Sequence, residues 1–396
     1  METAPGARRL PRLVIVLGLV SFFNDLASEM VTPLIPILLA AVLGAGPVAL
    51  GFIEGLAEAV ASGLKLYAGR RSDLWGARRK PFVLAGYFVS NCVRPLMGLA
   101  TGWGGVALLR GIDRVGKGLR TAPRDAMVAD ATPAALRGRA YGLHRAFDNG
   151  GAMGGALLAA ACLAWTPLSL PQMILLSAIP GFIGVALVAF VVRDAMPQQV
   201  PRAPLAAVPP LAWSLLPSLL RRYFLVLAVF SLARASETFV VLRGHELGLS
   251  VAHLLVLWAA MSFVKALAAW FGGNWSDRFG RRRIVLWHWL AHGASFALLA
   301  GVGSLESLWL AAFLFGACSG FGEGAERALV GDLGSDQARG TAFGWYSMTV
   351  GLAAIPAGLF FGGLWQAFGA GVAFLVAGGL AWLAAMLLRL VVLRKG

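Results

Sequence analysis

The sequence predicts an all-α integral membrane protein, with twelve transmembrane helices in two pseudo-symmetric six-helix bundles. Three observations carry that expectation. Apolar runs long enough to cross a bilayer recur from end to end, basic residues collect in alternate connections, and short motifs of one half return in the other.

Of 396 residues, 58% are hydrophobic and 13% are charged, too little polar surface for a domain dissolved in water. A helix rises about 1.5 Å per residue, so about 20 apolar residues cover about 30 Å of hydrocarbon. Twelve runs meet that length: 12–41, 48–69, 82–101, 104–122, 139–165, 172–192, 222–244, 252–274, 284–303, 307–327, 341–365 and 371–391. The first follows Arg8 and Arg9, as a secretory signal would, but it is too long and contains Asp25 and Glu29. It is therefore expected to be a transmembrane helix.

A net charge of +15 would suit a nucleic-acid binder, but the basic residues alternate by connection. Arg8, Arg9 and Arg12, then Arg70, Arg71, Arg78, Arg79 and Lys80, then Arg124, Arg137 and Arg139, then Arg278 and Arg281 to Arg283, then Arg394 and Lys395 fall on one side. The intervening connections 44–49, 101–104, 166–171 and 303–307 hold no Lys or Arg. The positive-inside rule then places both termini in the cytoplasm, with an even number of crossings. The expected surroundings are a lipid bilayer, with no nucleic acid. Cys92, Cys162 and Cys318 lie inside spans without metal-like spacing, and His253, His288 and His292 show none either, so no metal and no cofactor are expected. Walker, nucleophile-elbow and HExxH patterns are absent, which argues against an enzyme.

A proline-rich segment near the middle, with Pro197, Pro201, Pro204, Pro209, Pro210 and Pro217, reads as a spacer. It divides the chain into an N-terminal bundle (1–193), a cytoplasmic linker (194–221) and a C-terminal bundle (222–396). Motifs repeat across it. Gly69, Asp73, Gly76, Arg78 and Arg79 after the second span match Gly273, Asp277, Gly280, Arg282 and Arg283 after the eighth. Asp130, Arg137-Gly138 and Ala140-Tyr141-Gly142 match Asp332, Arg339-Gly340 and Ala342-Phe343-Gly344, and Ala27-Ser28-Glu29 matches Ala235-Ser236-Glu237. Glycine suits tight turns and close approach, and a carboxylate at a helix end can latch onto an arginine or a neighbouring helix N-terminus.

With both copies of G-x-x-x-D-x-x-G-x-[RK]-[RK] in place, the chain resembles the major facilitator superfamily over essentially its whole length. The resemblance implies a secondary transporter working by alternating access, with Asp73 and Asp277 helping to close the cytoplasmic side and Arg137 and Arg339 as partners. It departs from the family at Arg71 and Trp275, where a small apolar residue is usual. A small-molecule substrate, protons, a monomer and a prokaryotic cytoplasmic (inner) membrane are the further expectations.

Ionisable groups at membrane depth are functional candidates because each is costly there. Asp25 and Glu29 share a face of the first span, and Glu58 lies in the second with Glu54 and Lys65. Arg94 is in the third, Arg110, Asp113, Arg114 and Lys117 form a stripe along the fourth, and Asp148 follows His144 and Arg145 in the fifth. The second half is sparser, with Arg234, Glu237 and Arg243, Lys265, and Glu323, Glu326 and Arg327. Arg110, Gly116 and Gly118 fit the family's fourth-span motif, with Arg114 in place of its first glycine. That resemblance links Arg110 to proton coupling. Arg94, Arg110, Arg114 and Lys117 are expected to bind an anionic or zwitterionic solute, with Asp25, Glu29 or Glu58 carrying the proton; mutual pairing as structural struts is the alternative. The family's Gly-Pro signature of antiporters is absent from the fifth span. Export of a small anionic or amphipathic solute is favoured over import and over a non-transporting sensor, and the charge asymmetry points to the N-terminal bundle as the seat of binding.

Overall fold

The computed structural model describes residues 10–74, 78–132, 137–193, 213–234, 236–333 and 339–393, and among them all regular structure is helical. The helical stretches are α1 (Arg12–Val42), α2 (Pro47–Leu74), α3 (Lys80–Leu99), α4 (Trp103–Ala131), α5 (Arg137–Trp165), α6 (Leu170–Val191), α7 (Ser218–Glu246), α8 (Val251–Phe279), α9 (Arg281–Ala300) and α10 (Leu305–Leu333). A last run, Arg339–Leu387 continued by Leu388–Leu393, bends at Gly369, whose φ of 85° no helix accommodates. It comprises α11 (339–368) and α12 (370–393). Each of the twelve expected spans thus has its helix.

Sequence chemistry explains the interruptions. Pro33 and Pro36 convert α1 after Glu29 into a 3₁₀ turn and a π turn. A capping box between Ser169 and Gln172, with Pro171 behind it, starts α6. Gly280, with φ 88°, separates α8 from α9. Helix α7 breaks at Arg234, where ψ is 87°, and resumes at Thr238.

Eight helical runs are both long and apolar enough to span a membrane, the α11–α12 run among them. The other three, α4, α5 and α9, are long enough but diluted by Arg110, Asp113 and Arg114, by His144 and Asp148, and by His288 and His292. Outward-facing Leu108, Phe190 and Leu310 are well exposed, as expected where hydrocarbon is the solvent.

The chain forms two compact units, the first drawn from Met1–Thr32, Leu64–Ala100 and Leu108–Leu205, the second from Pro33–Gly63, Thr101–Ala107 and Ala206–Gly396. The second therefore includes the later part of α1, the first part of α2 and the start of α4. Backbone packing explains why α2 joins it. A Cβ on Gly51 would lie 1.9 Å from the Gly358 carbonyl oxygen, and one on Gly362 would lie 2.4 Å from that of Pro47. The first unit's core holds Leu17, Val20, Val83, Tyr87 and Val188; the second's holds Tyr223, Phe230, Trp289, Leu329 and Leu388. Phe230 stacks on Trp289 at 4.3 Å.

Within the first unit, Gly151 and Gly155 bring α5 onto α1, where a Cβ would fall 2.3 and 2.2 Å from the carbonyl oxygens of Phe22 and Leu26. Gly155→Val is expected to cost at least about 1–3 kcal/mol through overpacking. Gly150→Ala, where a Cβ would meet Phe22 at an ordinary 3.8 Å, is expected to be neutral or stabilising. Thermal unfolding of the two variants in detergent checks this.

Candidate functional site

The stripe on α4 folds inward around one carboxylate. Asp113 is 1% exposed. Arg94 of α3 donates to its Oδ1 at 3.0 Å, while Arg114 Nε and Arg110 Nη1 approach Oδ2 at 3.6 and 3.9 Å. Arg94 also donates to Asn91 Oδ1 at 3.0 Å and to the Asn24 carbonyl at 3.5 Å, and Arg110 reaches Thr32 Oγ1 at 3.5 Å. Three guanidinium groups therefore meet one acceptor, and Arg114, 9% exposed, makes no hydrogen bond among the described residues.

The stripe runs on further than the expected fourth span. Arg124, expected in a cytoplasmic connection, lies inside α4, 9% exposed, donating to Ser21 Oγ at 2.9 Å and to Asp125. Arg120 donates to Ser90 Oγ at 2.7 Å and lies 4.6 Å over the Tyr87 ring. Ser21 also meets His144 Nε2 at 3.1 Å, whose Nδ1 lies 3.4 Å from Asp148. Asn24 donates to Asp25 at 2.9 Å, and Asp25 lies in electrostatic range of Asp148, Lys117, Arg120 and Arg124. The spacing 113, 117, 120, 124 was the signal for both: Arg120 lies inside the expected span but was left out of the stripe, and Arg124 was cut off by an early helix end. Asn24, Asn91 and Tyr87, being uncharged, gave no comparable signal.

The structure does not gather all the proposed acids. Glu58 belongs to the second unit, where it accepts from Ser62 at 3.0 Å, while Glu29 closes the main helix of α1 in the first.

The second unit has its own buried carboxylate, Glu326, 1% exposed. It accepts from Trp289 Nε1 at 2.7 Å and from Tyr346 OH at 3.1 Å, with His288 Nε2 at 3.6 Å and Arg234 at 3.8 Å. Glu237 pairs with Lys265. His288 Nδ1 donates to the Cys318 carbonyl at 2.8 Å.

For the repeated loop motifs, helix persists through Asp73 and Asp277, so both aspartates sit on the last turns of α2 and α8. The side chains of Asp73, Arg137, Gly273, Asp277 and Arg339, and all of Gly76, lie outside the described residues, and with them the expected latch. Gly69 allows close approach to Ala122, whose methyl carbon would lie 3.1 Å from a Cβ at that position, and Gly280 supplies the positive φ. Arg78 and Arg283 are exposed and Arg282 is partly so. What stands out at these ends is a duplicated ion pair. Arg79 Nε meets Asp130 at 3.0 Å in the first unit, and Arg281 meets Asp332 in the second.

A helical membrane protein with charge gathered inside each of two repeated halves is the class that fold and site define. The family model of the Major Facilitator Superfamily matches residues 17–242 and again 223–396. The chain belongs to the major facilitator superfamily, a family of multi-pass membrane transporters and not of enzymes. It is 33% identical over 365 residues to the uncharacterized MFS-type transporter MJ1317 of Methanocaldococcus jannaschii, covering 91% of this chain and 90% of that protein. A shorter likeness, 34% over 149 residues and 38% of this chain, links it to 34% of the multidrug resistance protein MdtH of Proteus mirabilis. The crystal structure of the nucleoside transporter NupG shares the fold, with a TM-score of 0.79 at 15% identity over 98% of this chain and 100% of that one.

Removing a partner from a buried ion cluster costs about 3–5 kcal/mol, and Asp113→Asn is expected to lose that much. Asp125→Asn, whose carboxylate is 41% exposed, is expected to lose less than about 1 kcal/mol. Recovery of monodisperse protein and its unfolding midpoint separate the two.

Proposed function

We propose that the chain is a proton-coupled secondary transporter that exports a small organic anion, amphipathic in character, across a prokaryotic cytoplasmic membrane by alternating access. The observation that carries the anionic part is Arg114. Its charge is buried against a carboxylate already engaged by Arg94, and its hydrogen-bond donors are unspent among the described residues. A buried cation with free donors is matched by an anionic oxygen, since charge-assisted hydrogen bonds are the strong ones. Family membership supports transport, and the likeness to a multidrug resistance protein over part of the chain supports export. The alternation of basic connections supports cytoplasmic termini.

Asp25 is the proposed proton carrier. Its carboxylate on α1 lies among cations from α4 and within range of Asp148 on α5, so loading an anion nearby alters the field it feels. Glu58, tied to Ser62 in the second unit, is the weaker candidate.

The test uses proteoliposomes loaded with a pH-sensitive dye and challenged with aryl sulfonates and dicarboxylates. Arg114→Met is expected to weaken apparent affinity about tenfold or more, the worth of one charge-assisted hydrogen bond. Asp25→Asn is expected to retain binding while abolishing solute-driven proton movement. Unchanged, equally pH-dependent flux in both variants would return these charges to a structural role, and binding without any flux would sink the transport reading.

A further inference from the structure

The second unit encloses a polar cavity of about 140 Å³ lined by Arg234, Glu237, Lys265, His288, His292 and Phe315. A cavity of about 150 Å³ holds a benzene ring, so this one has room for a head group of about six non-hydrogen atoms. Two cations and one carboxylate line it, and Ser319 adds a hydroxyl.

His292 sets it apart. The ring is 4% exposed, yet neither Nδ1 nor Nε2 has a hydrogen-bond partner among the described residues. Its neighbours explain why. Phe230, Phe296 and Phe315 lie 5.6, 4.7 and 5.4 Å from it between ring centres, and His288 at 5.7 Å spends its Nδ1 on the Cys318 carbonyl. A neutral imidazole presents one donor and one acceptor. Leaving both unmet in a buried site is costly, and nothing in the described wall meets them.

We propose that this cavity binds the head group of the carried solute, a small carboxylate with a hydrogen-bonding substituent beside it, as at the end of a 2-hydroxy or 2-amino acid. The carboxylate faces Arg234 and Lys265, and the substituent pairs with His292; where the substituent is an ammonium, Glu237 exchanges its Lys265 partner for it. The proposal rests on the reading of the chain as a transporter of organic anions, and it adds a subsite in the second unit to the Arg114 site of the first.

The test measures unfolding midpoints and calorimetric binding of the full chain in detergent with lactate, alanine, acetate and lactamide. Lactate or alanine is expected to raise the midpoint, and which of them does so separates the hydroxy from the amino form. Acetate, without the substituent, and lactamide, without the charge, are expected to need about tenfold higher concentration or more. His292→Leu removes two unmet polar atoms, so it is expected to unfold at a higher temperature than the parent without ligand and to respond to no probe. His292→Gln, which keeps a donor and an acceptor, is expected to retain part of the response. A ligand-free His292→Leu that is less stable than the parent would show the ring to be structural and overturn the proposal. So would equal shifts in parent and variant, or no shift of the parent by any probe up to about 100 mM. Binding of lactate or alanine without flux of any solute would leave the cavity site standing and remove the transport reading, whereas Arg114-dependent flux without such binding would do the reverse.

Discussion

Asp113 sets the geometry of the first unit. One carboxylate, sealed from water, holds Arg94 at 3.0 Å and draws Arg110 and Arg114 to within 4 Å. Lipid supplies no hydrophobic drive for helices to associate, so their rotation and depth depend on packing and on polar pairs that have nowhere else to go. Through Asp113, α4 must present its charged face to α3. Through Arg94, α3 in turn is tied to the Asn24 carbonyl on α1. Close glycine contacts between α1 and α5 then fix the remaining spacing. In the second unit Glu326 plays the corresponding part, drawing donors from α9 and α11 and facing Arg234 on α7.

The duplication reaches individual side chains. In the register that aligns Asp130 with Asp332, a shift of 202 residues and so two fewer than in the loop motif that pairs Arg79 with Arg283, Arg79 falls opposite Arg281, Tyr87 opposite Trp289 and Arg124 opposite Glu326. The first of these keeps its ion pair in both units. The others keep position while reversing charge, a cation beside Tyr87 in one half and an anion bonded to Trp289 in the other. Packing is exchanged too. Gly86 makes room for Arg120 in the first unit, and at the matching positions Gly322 makes room for His288. The repeated sequence pattern thus carries two different interiors.

Much of this was legible in the sequence, and the limits have physical causes. Apolar run length located the helical stretches because lipid demands it, and eight of the runs are apolar enough to span on that ground alone. Helix ends were less legible. Arg124 looked like a loop residue because hydropathy falls where α4 turns polar, yet the helix continues to Ala131 and buries that arginine. The i, i+3, i+4, i+7 spacing predicted a common face for Arg110, Asp113, Arg114 and Lys117, but not that one aspartate would serve three arginines. That depends on Arg94, brought by another helix. Nor could spacing place Glu58, because α2 contributes to both compact units and its first part packs with the second.

Charge density and binding capacity also turn out to be different quantities. The first half is richer in ionisable residues, which favoured it as the seat of solute chemistry. Most of that charge is spent internally. Arg94, Arg120 and Arg124 each hold neutral or anionic partners within their own unit, and Arg114 alone among the arginines facing Asp113 lacks a hydrogen bond among the described residues. The sparser second half encloses a lined cavity and a histidine with both nitrogens unmet. What distinguishes a group available to a ligand from a strut is an unsatisfied valence facing open volume, and the count of charges along a helix is blind to it. Each half offers a different piece of chemistry, a buried guanidinium without a hydrogen bond among the described residues in one and, facing a lined cavity, a neutral donor–acceptor pair in the other. The first calls for an anionic oxygen, and the second for a substituent that can hydrogen-bond without carrying charge.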